Sequence, residues 1–200
     1  MARTVDIARR REIARDAFEA MRAGGARKTS MSALAKALGM KRPTLYWYFK
    51  DLGALFEAIF RMMLEDQLAF VAERVAAQTH PIDALYTYAV AVDDFYAERE
   101  DVIVLLFELW AASGGDNTDR AFGLTTEFFE ERRAAAVKMI GAGIDAGVVV
   151  PCDPAVLMVA VSAFIDGLLV QRVTRKVPIK PLHDFLWERV LEPLKRTPDP

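Results

Sequence analysis

The sequence is poor in the residues from which disulfide frameworks, zinc sites and histidine-based catalysis are built. Among 200 residues there is one cysteine, Cys152, and there are two histidines, His80 and His183. A single thiol excludes an intrachain disulfide and fits a reducing, cytoplasmic setting. Each histidine lies beside a turn, and neither combines with Cys152 at a spacing that zinc ligands use. Both read as surface or capping residues. No GxSxG elbow and no phosphate-binding loop is present. The N-terminal run MARTVDIARRREIARDAF is charged and lacks the apolar stretch of a signal peptide. The most apolar run, Ala155–Val170, is too short to span a bilayer and is interrupted by Asp166 and Gly167, so a buried helix and no membrane partner are expected. Gly141 to Ala146, GAGIDA, has the loose outline of a dinucleotide fingerprint. Its context fails, because EERRAAAVKMI before it reads as helix rather than strand and Val148–Pro151 stops a following helix. It reads as a glycine-rich helix end. No catalytic residue, cofactor or metal is expected.

What the chain does have is apolar surface and an uneven charge. Hydrophobic residues make up 53%, enough for a sizeable core and too many for a disordered chain. The net charge of −2 argues against nucleic acid only until its distribution is read. Residues 1–50 hold 12 Lys/Arg and 4 acids, a balance of +8, and the other 150 residues carry −10. A basic head on an acidic body is what a protein needs when only the head meets phosphate.

Nearly every segment has helical period and none alternates as a strand. A first helix spans about Val5–Ala23, with Ile13, Ala17, Phe18 and Met21 as its apolar stripe and Gly24-Gly25 as its end. Ser30 caps a short second helix, and Gly39 supplies the left-handed conformation that stops it. Pro43 suits the first turn of a third helix, Pro43–Tyr48, in which Leu45 and then Phe49 face inward. Asp51 caps a long fourth helix that ends at about Ala77. Further helices read as Ile82–Glu98, Asp101–Ala112, Thr118–Ala146, Pro154–Arg175 and Leu182–Lys195, separated by Pro- and Gly-containing breaks. The expected class is all-α: a three-helix helix-turn-helix unit at residues 1–50 and a helical bundle for ligand binding and dimerisation at residues 51–200.

The run Ser30–Phe49, SMSALAKALGMKRPTLYWYF, resembles the DNA-binding signature of the TetR family of transcriptional repressors, PTLYWYF looking most like its recognition helix. With the helices on either side, the resemblance covers about residues 8–60. A second likeness, Ala146–Gln171, is to the start of that family's dimer-forming helices. The resemblance implies that Arg42, Pro43, Thr44, Tyr46 and Trp47 face the major groove, that Tyr48 and Lys50 lie near phosphates, and that Leu34, Leu38, Leu45 and Phe49 pack the two short helices together. It also implies an operator of double-stranded DNA. The chain departs from the family at Leu52, where a basic residue usually follows the cap of the fourth helix; the helix keeps its N-terminal amides for phosphate but lacks that charge.

Physical chemistry supports the same roles. A major groove admits one helix, and base edges within it specify sequence. Arg42 can meet guanine O6 and N7 in bidentate fashion. The Thr44 methyl and the Pro43 ring can meet a thymine methyl. Tyr46, Trp47, Tyr48 and Phe49 cannot all be core, because neighbours on a helix diverge by about 100°. Exposed aromatics on a basic unit call for a partner.

Acidic residues interrupt three apolar helices: Asp93 and Asp94, Glu108, and Asp166. A buried carboxylate is costly unless paired, so each is a partnered structural group, a solvent-facing residue or a ligand contact. Met63, Tyr88, Asp94, Phe95, Phe107, Glu108, Trp110 and Phe128 are the candidate ligand contacts, for a small apolar or cationic aromatic molecule. Ala160, Ala163 and Gly167 make a stripe of small residues that lets a partner helix approach closely. With Val156, Phe164, Leu168, Phe185, Leu186 and Val190 they form the candidate homodimer interface. These readings describe a ligand-responsive repressor that binds a near-palindromic operator as a homodimer and is released by a small molecule. The competing class is a helical-bundle carrier or enzyme with an apolar pocket, which needs neither the basic head nor PTLYWYF.

Overall fold

The computed structural model describes residues 6–24, 29–112 and 116–196, and the side chains of residues 109–129 lie outside the description. The helices are α1 (Ile7–Gly24), α2 (Met31–Ala37), α3 (Arg42–Tyr48), α4 (Leu52–Val75), α5 (Pro81–Tyr96), α6 (Glu100–Ala112), α7 (Asp116–Asp145), α8 (Pro154–Arg175) and α9 (Lys180–Leu186). No strand occurs among the described residues, and the one β-type pairing is an isolated bridge between Val149 and Lys195.

Helix boundaries follow the capping chemistry. Ser30 Oγ accepts from the Ala33 amide at 3.2 Å. Asp51 Oδ1 accepts from the Ala54 amide at 2.7 Å. Asp153 does the same for Ala155 and Val156 at the head of α8. Gly39 takes a φ of 61° directly after α2, the left-handed region in which a Cβ is strained. His80 caps α5 through Nδ1, which accepts from the Ile82 amide at 3.1 Å, so its capping role holds.

Two expectations about the last helices are corrected. The last helix is not continuous: α9 gives way to a π-helical turn at Trp187–Leu191 and a 3-10 turn at Glu192–Leu194. Pro193 lacks the N–H that an α-helical ladder needs there. The apolar run around residue 160 belongs to a helix of 22 residues, Pro154–Arg175, which is long and apolar enough to cross a membrane by length and composition, and only 22% of its apolar window is buried.

The chain divides into two compact units, residues 1–66 with 101–126, and residues 67–100 with 127–200. The expected division after residue 50 rests instead on charge and motif. In the first unit, Ile13, Ala17, Phe18 and Met21 of α1 are buried as their spacing requires, together with Leu34, Leu45, Phe49, Leu55 and Ile59. In the second, α5 packs on α8. Arg172 of α8 reaches Asp93 of α5 with Nη2 at 2.7 Å from both carboxylate oxygens and Nε at 3.2 Å from Oδ1. Asp93 is thereby the partnered structural group among the carboxylates. His183 of α9 is buried against this pair, with Nε2 3.7 Å from Asp93 Oδ2 and without a hydrogen-bond partner among the described residues, which corrects the expectation of a surface or capping residue.

Gly143 shows what the glycine-rich segment at the end of α7 is for. A Cβ there would lie 2.8 Å from Val149 Cγ2 and 2.9 Å from Pro81 Cγ. Its carbonyl accepts from both the Val148 and Val149 amides at 3.0 Å. The glycine permits close packing at a helix end.

Candidate nucleic-acid interface

The helix-turn-helix is built from short-range bonds on a buried base. The Leu38 amide donates to the Leu34 carbonyl, and the Met40 amide to that of Ala35 at 2.8 Å, closing α2 over Gly39. Thr44 and Leu45 donate to the Lys41 carbonyl at 2.9 and 3.2 Å, which starts α3 with Pro43 in its first turn, where a missing N–H costs nothing. Leu45 and Phe49 are buried, as is Leu34, while Leu38 is half-buried at the turn.

With that side of α3 anchored, the other is turned out. Arg42, Pro43, Thr44, Tyr46 and Trp47 are all exposed, Tyr46 at 39% and Trp47 at 41%. Tyr48 is half-buried and Lys50 exposed. The exposed group has internal order. Arg42 Nη2 lies 3.4 Å from the Tyr46 hydroxyl, with its guanidinium carbon 5.4 Å from the ring centroid. Trp47 meets Tyr48 edge to face at 4.7 Å. A cation leaning on an aromatic ring loses less freedom when it meets a base than one waving in solvent.

The net charge of the N-terminal segment overstates what is available to phosphate. Arg9 pairs with Glu12 at 2.8 Å. Arg11 pairs with Glu65 and, at 2.6 Å, with Asp66. Arg15 lies 3.7 Å from Asp66. Arg22 reaches Glu19 at 3.0 Å and Asp101 at 2.7 Å. The exposed cations beside α3 are Lys36, Lys41, Arg42 and Lys50, of which Lys50 lies 4.0 Å from Asp51. Lys36 and Lys41 were not singled out by sequence reasoning. Their signal is position, on either side of the turn that joins α2 and α3.

The candidate ligand residues fall in both units. Met63 is buried on α4, Phe107 exposed and Glu108 half-buried on α6. In the second unit Tyr88 is half-buried, Asp94 is exposed, and Phe95 is buried beside Phe70 at 5.6 Å and Tyr96 at 5.0 Å. Tyr96 donates to Gln67 Oε1 at 3.1 Å, and burial pushes its phenol up to about 12. The side chains of Trp110 and Phe128 lie outside the described residues. Among the described residues no cluster of His, Cys, Asp and Glu could hold a metal ion.

On α8, Val156, Ala160, Ala163 and Gly167 are exposed, and Val156 is 64% accessible. Val159 and Val170, which the sequence reading missed, extend the same face with the same alternation of three- and four-residue steps. Phe185 of α9 is 56% exposed. Phe164 and Val190 are half-buried. Leu168 and Leu186 do not belong to that face: at 3% and 2% exposure they are buried in the chain's own core, each turned by about 100° from the exposed residue before it.

A buried Leu45–Phe49 base under an exposed Arg42-Tyr46-Trp47 face, joined by a short turn to a capped α2, defines a helix-turn-helix unit of the kind that DNA-binding proteins use. Residues 12–59 match the sequence profile of the bacterial regulatory proteins of the tetR family. The whole fold is similar to that of a TetR transcription regulator from Haloarcula marismortui, at a TM-score of 0.78 and 18% identity over 95% of this chain and 100% of that one. It is similar also to the TetR-family transcriptional regulator PfmR from Thermus thermophilus, at 0.64 and 20% over 92% and 99%. A third such structure is AibR in complex with isovaleryl coenzyme A and operator DNA, at 0.62 and 16% over 92% and 98%. The helix-turn-helix segment thus matches the tetR family profile, and the whole chain shares the fold of TetR-family regulators.

Proposed function

We propose that this regulator is a repressor that holds a near-palindromic operator as a homodimer and releases it when a small molecule binds in the domain after residue 50. The observation that carries the reading is the exposed face of α3 over its buried base. In this reading Arg42 reads guanine, Pro43 and Thr44 meet thymine methyls, Trp47 lies in the groove, and Tyr46, Tyr48 and Lys50 position the helix on phosphates.

Self-association is supported by the exposed stripe on α8. Nothing lies within 4 Å of a Cβ built on Gly167, so that position is open to a partner helix. A second copy suits the stripe better than lipid, because the bidentate Arg172–Asp93 pair ties α8 to α5. Two copies of α3 would then meet successive major-groove faces of the same duplex. Binding of both a small molecule and DNA by this fold is supported by AibR, whose structure is in complex with isovaleryl coenzyme A and operator DNA; release is the direction proposed here. The ligand proposed here is apolar or cationic aromatic. Such a ligand acts only if it binds the DNA-free arrangement more tightly than the DNA-bound one.

The test begins with duplexes enriched by the protein from a random-sequence pool. They should carry an inverted repeat with half-site centres about 34–36 Å apart or a multiple of that. Sedimentation should show a dimer at micromolar concentration, and Ala163→Glu should give monomers that bind the enriched duplex weakly. Compounds that stabilise the protein against heat should weaken its DNA binding. A wild-type monomer would contradict the dimer, and stabilising compounds that never alter DNA affinity would contradict the switch.

A further inference from the structure

Four of the five arginines of α1 are paired with carboxylates, and Arg10 makes no ion pair among the described residues. It is half-buried, and it reaches across 38 residues of sequence to the end of α3. Its Nε donates to the carbonyl oxygen of Tyr48 at 3.4 Å. Its guanidinium carbon lies 4.8 Å from the centroid of the buried Phe49 ring. Tyr48 is the last residue of α3 and Phe49 its C-cap.

The end of α3 needs such a partner. A helix leaves its last four carbonyls without intrahelical donors and carries partial negative charge there. With seven residues, α3 has few internal bonds to hold its direction, and no basic residue of its own stands in the last turn. Arg10 supplies a donor, a positive charge and a ring contact together.

We propose that Arg10 is a positioning residue for DNA recognition, fixing the C-terminal end of α3 and with it the direction of Arg42, Tyr46 and Trp47, without neutralising a phosphate itself. The proposal rests on α3 being the recognition helix. Two facts set Arg10 apart from a phosphate contact. Its Nε is already engaged by a backbone carbonyl, and one face of its guanidinium is covered by Phe49.

The two roles separate by salt dependence. A phosphate contact adds about 0.9 to the slope of log affinity against log salt in each subunit, and a positioning residue adds nothing. The probes are a duplex enriched by the wild-type protein from a random pool and a mixed-sequence duplex of the same length. Arg10→Gln should lower affinity for the enriched duplex about tenfold, from the lost helix-end charge and ring contact. The mixed duplex should lose less than about twofold, since phosphate contacts carry non-specific binding, and the slope should stay as in wild type. Arg10→Lys, which keeps the charge without the planar guanidinium, should fall between. Amide exchange at Leu45–Phe49 should accelerate in both variants. Equal losses on both duplexes with a shallower slope would make Arg10 a phosphate contact, and unchanged affinity in both variants would remove its role; either overturns the proposal. If Arg10→Gln fails to fold, Arg10→Lys decides on the same criteria. A wild-type protein that enriches no duplex would instead overturn DNA recognition by α3, and the positioning role with it.

Discussion

The Asp93–Arg172 pair is the most consequential buried interaction of the second unit, and its removal makes a two-part prediction. Asp93 is 5% exposed, and Arg172 gives it three short contacts besides one to Glu100 at 3.5 Å. Replacing Arg172 by Met keeps much of the aliphatic bulk but leaves Asp93 as a buried charge without its cation. Breaking such a pair costs about 3–5 kcal/mol, which for a chain of this size lowers Tm by about 6–20 °C. The second part concerns His183. Burial pushes its imidazole below the ordinary value, against the pull of Asp93, Asp94 and Asp184 and with the repulsion of Arg172. A base depressed in the folded state is protonated first in the unfolded chain, so the wild type loses stability as pH falls through about 6.5. In Arg172→Met the repulsion is gone and Asp93 lacks a partner, so His183 binds a proton more readily than before. The stability gap between wild type and variant should therefore narrow from pH 7.5 to pH 5.5, and the narrowing should vanish when His183→Gln is added to both. The assay is urea unfolding followed by far-UV circular dichroism, at one protein concentration so that self-association does not enter the comparison. A loss below about 1 kcal/mol would show that the pair is not buried as described. A gap that stays constant with pH would refute the coupling of His183 to Asp93.

Two further outcomes follow from local geometry. Gly143→Ala places a methyl within 3 Å of Val149 and Pro81, which should cost about 1–3 kcal/mol in the same unfolding assay, whereas Gly141→Ala, with nothing within 4 Å, should be neutral or slightly stabilising. Leu52→Lys adds a charge to the first residue of α4; at low salt DNA affinity should rise, at a cost of a few tenths of a kcal/mol in stability from the helix dipole, and an unchanged affinity would show that residue 52 faces away from DNA.

What the sequence made legible was local. Ser30, Gly39, Pro43 and Asp51 act within four residues of where they stand, so the helix-turn-helix can be read from one stretch of chain. The apolar period of α1 likewise identifies its buried side. The missed features depend on contacts across the fold. The pairing of Arg11 with Glu65 and Asp66, and of Arg22 with Asp101, joins residues 54 to 79 apart, and the charge count of the first 50 residues could not register it. His183 looks like a turn-side residue until α9 brings it against Asp93. Leu168 and Leu186 share a hydrophobic composition with Val156 and Phe185, and only packing shows which of them face inward. The break after α9 is local but easily hidden: Pro193, which lacks the N–H of an α-helical ladder, stands inside the expected helix Leu182–Lys195.

The proposed role of α3 is to read base edges through Arg42, held over the buried Leu45 and Phe49. Its most direct test is an anisotropy titration of wild type and Arg42→Ala against the enriched duplex and a scrambled one, at fixed salt. A lost bidentate guanine contact costs about 1–3 kcal/mol per copy, so Arg42→Ala should bind the enriched duplex at least about fivefold more weakly and lose most of its preference over the scrambled one. Equal weakening on both duplexes would make Arg42 a phosphate contact and contradict base reading by this helix.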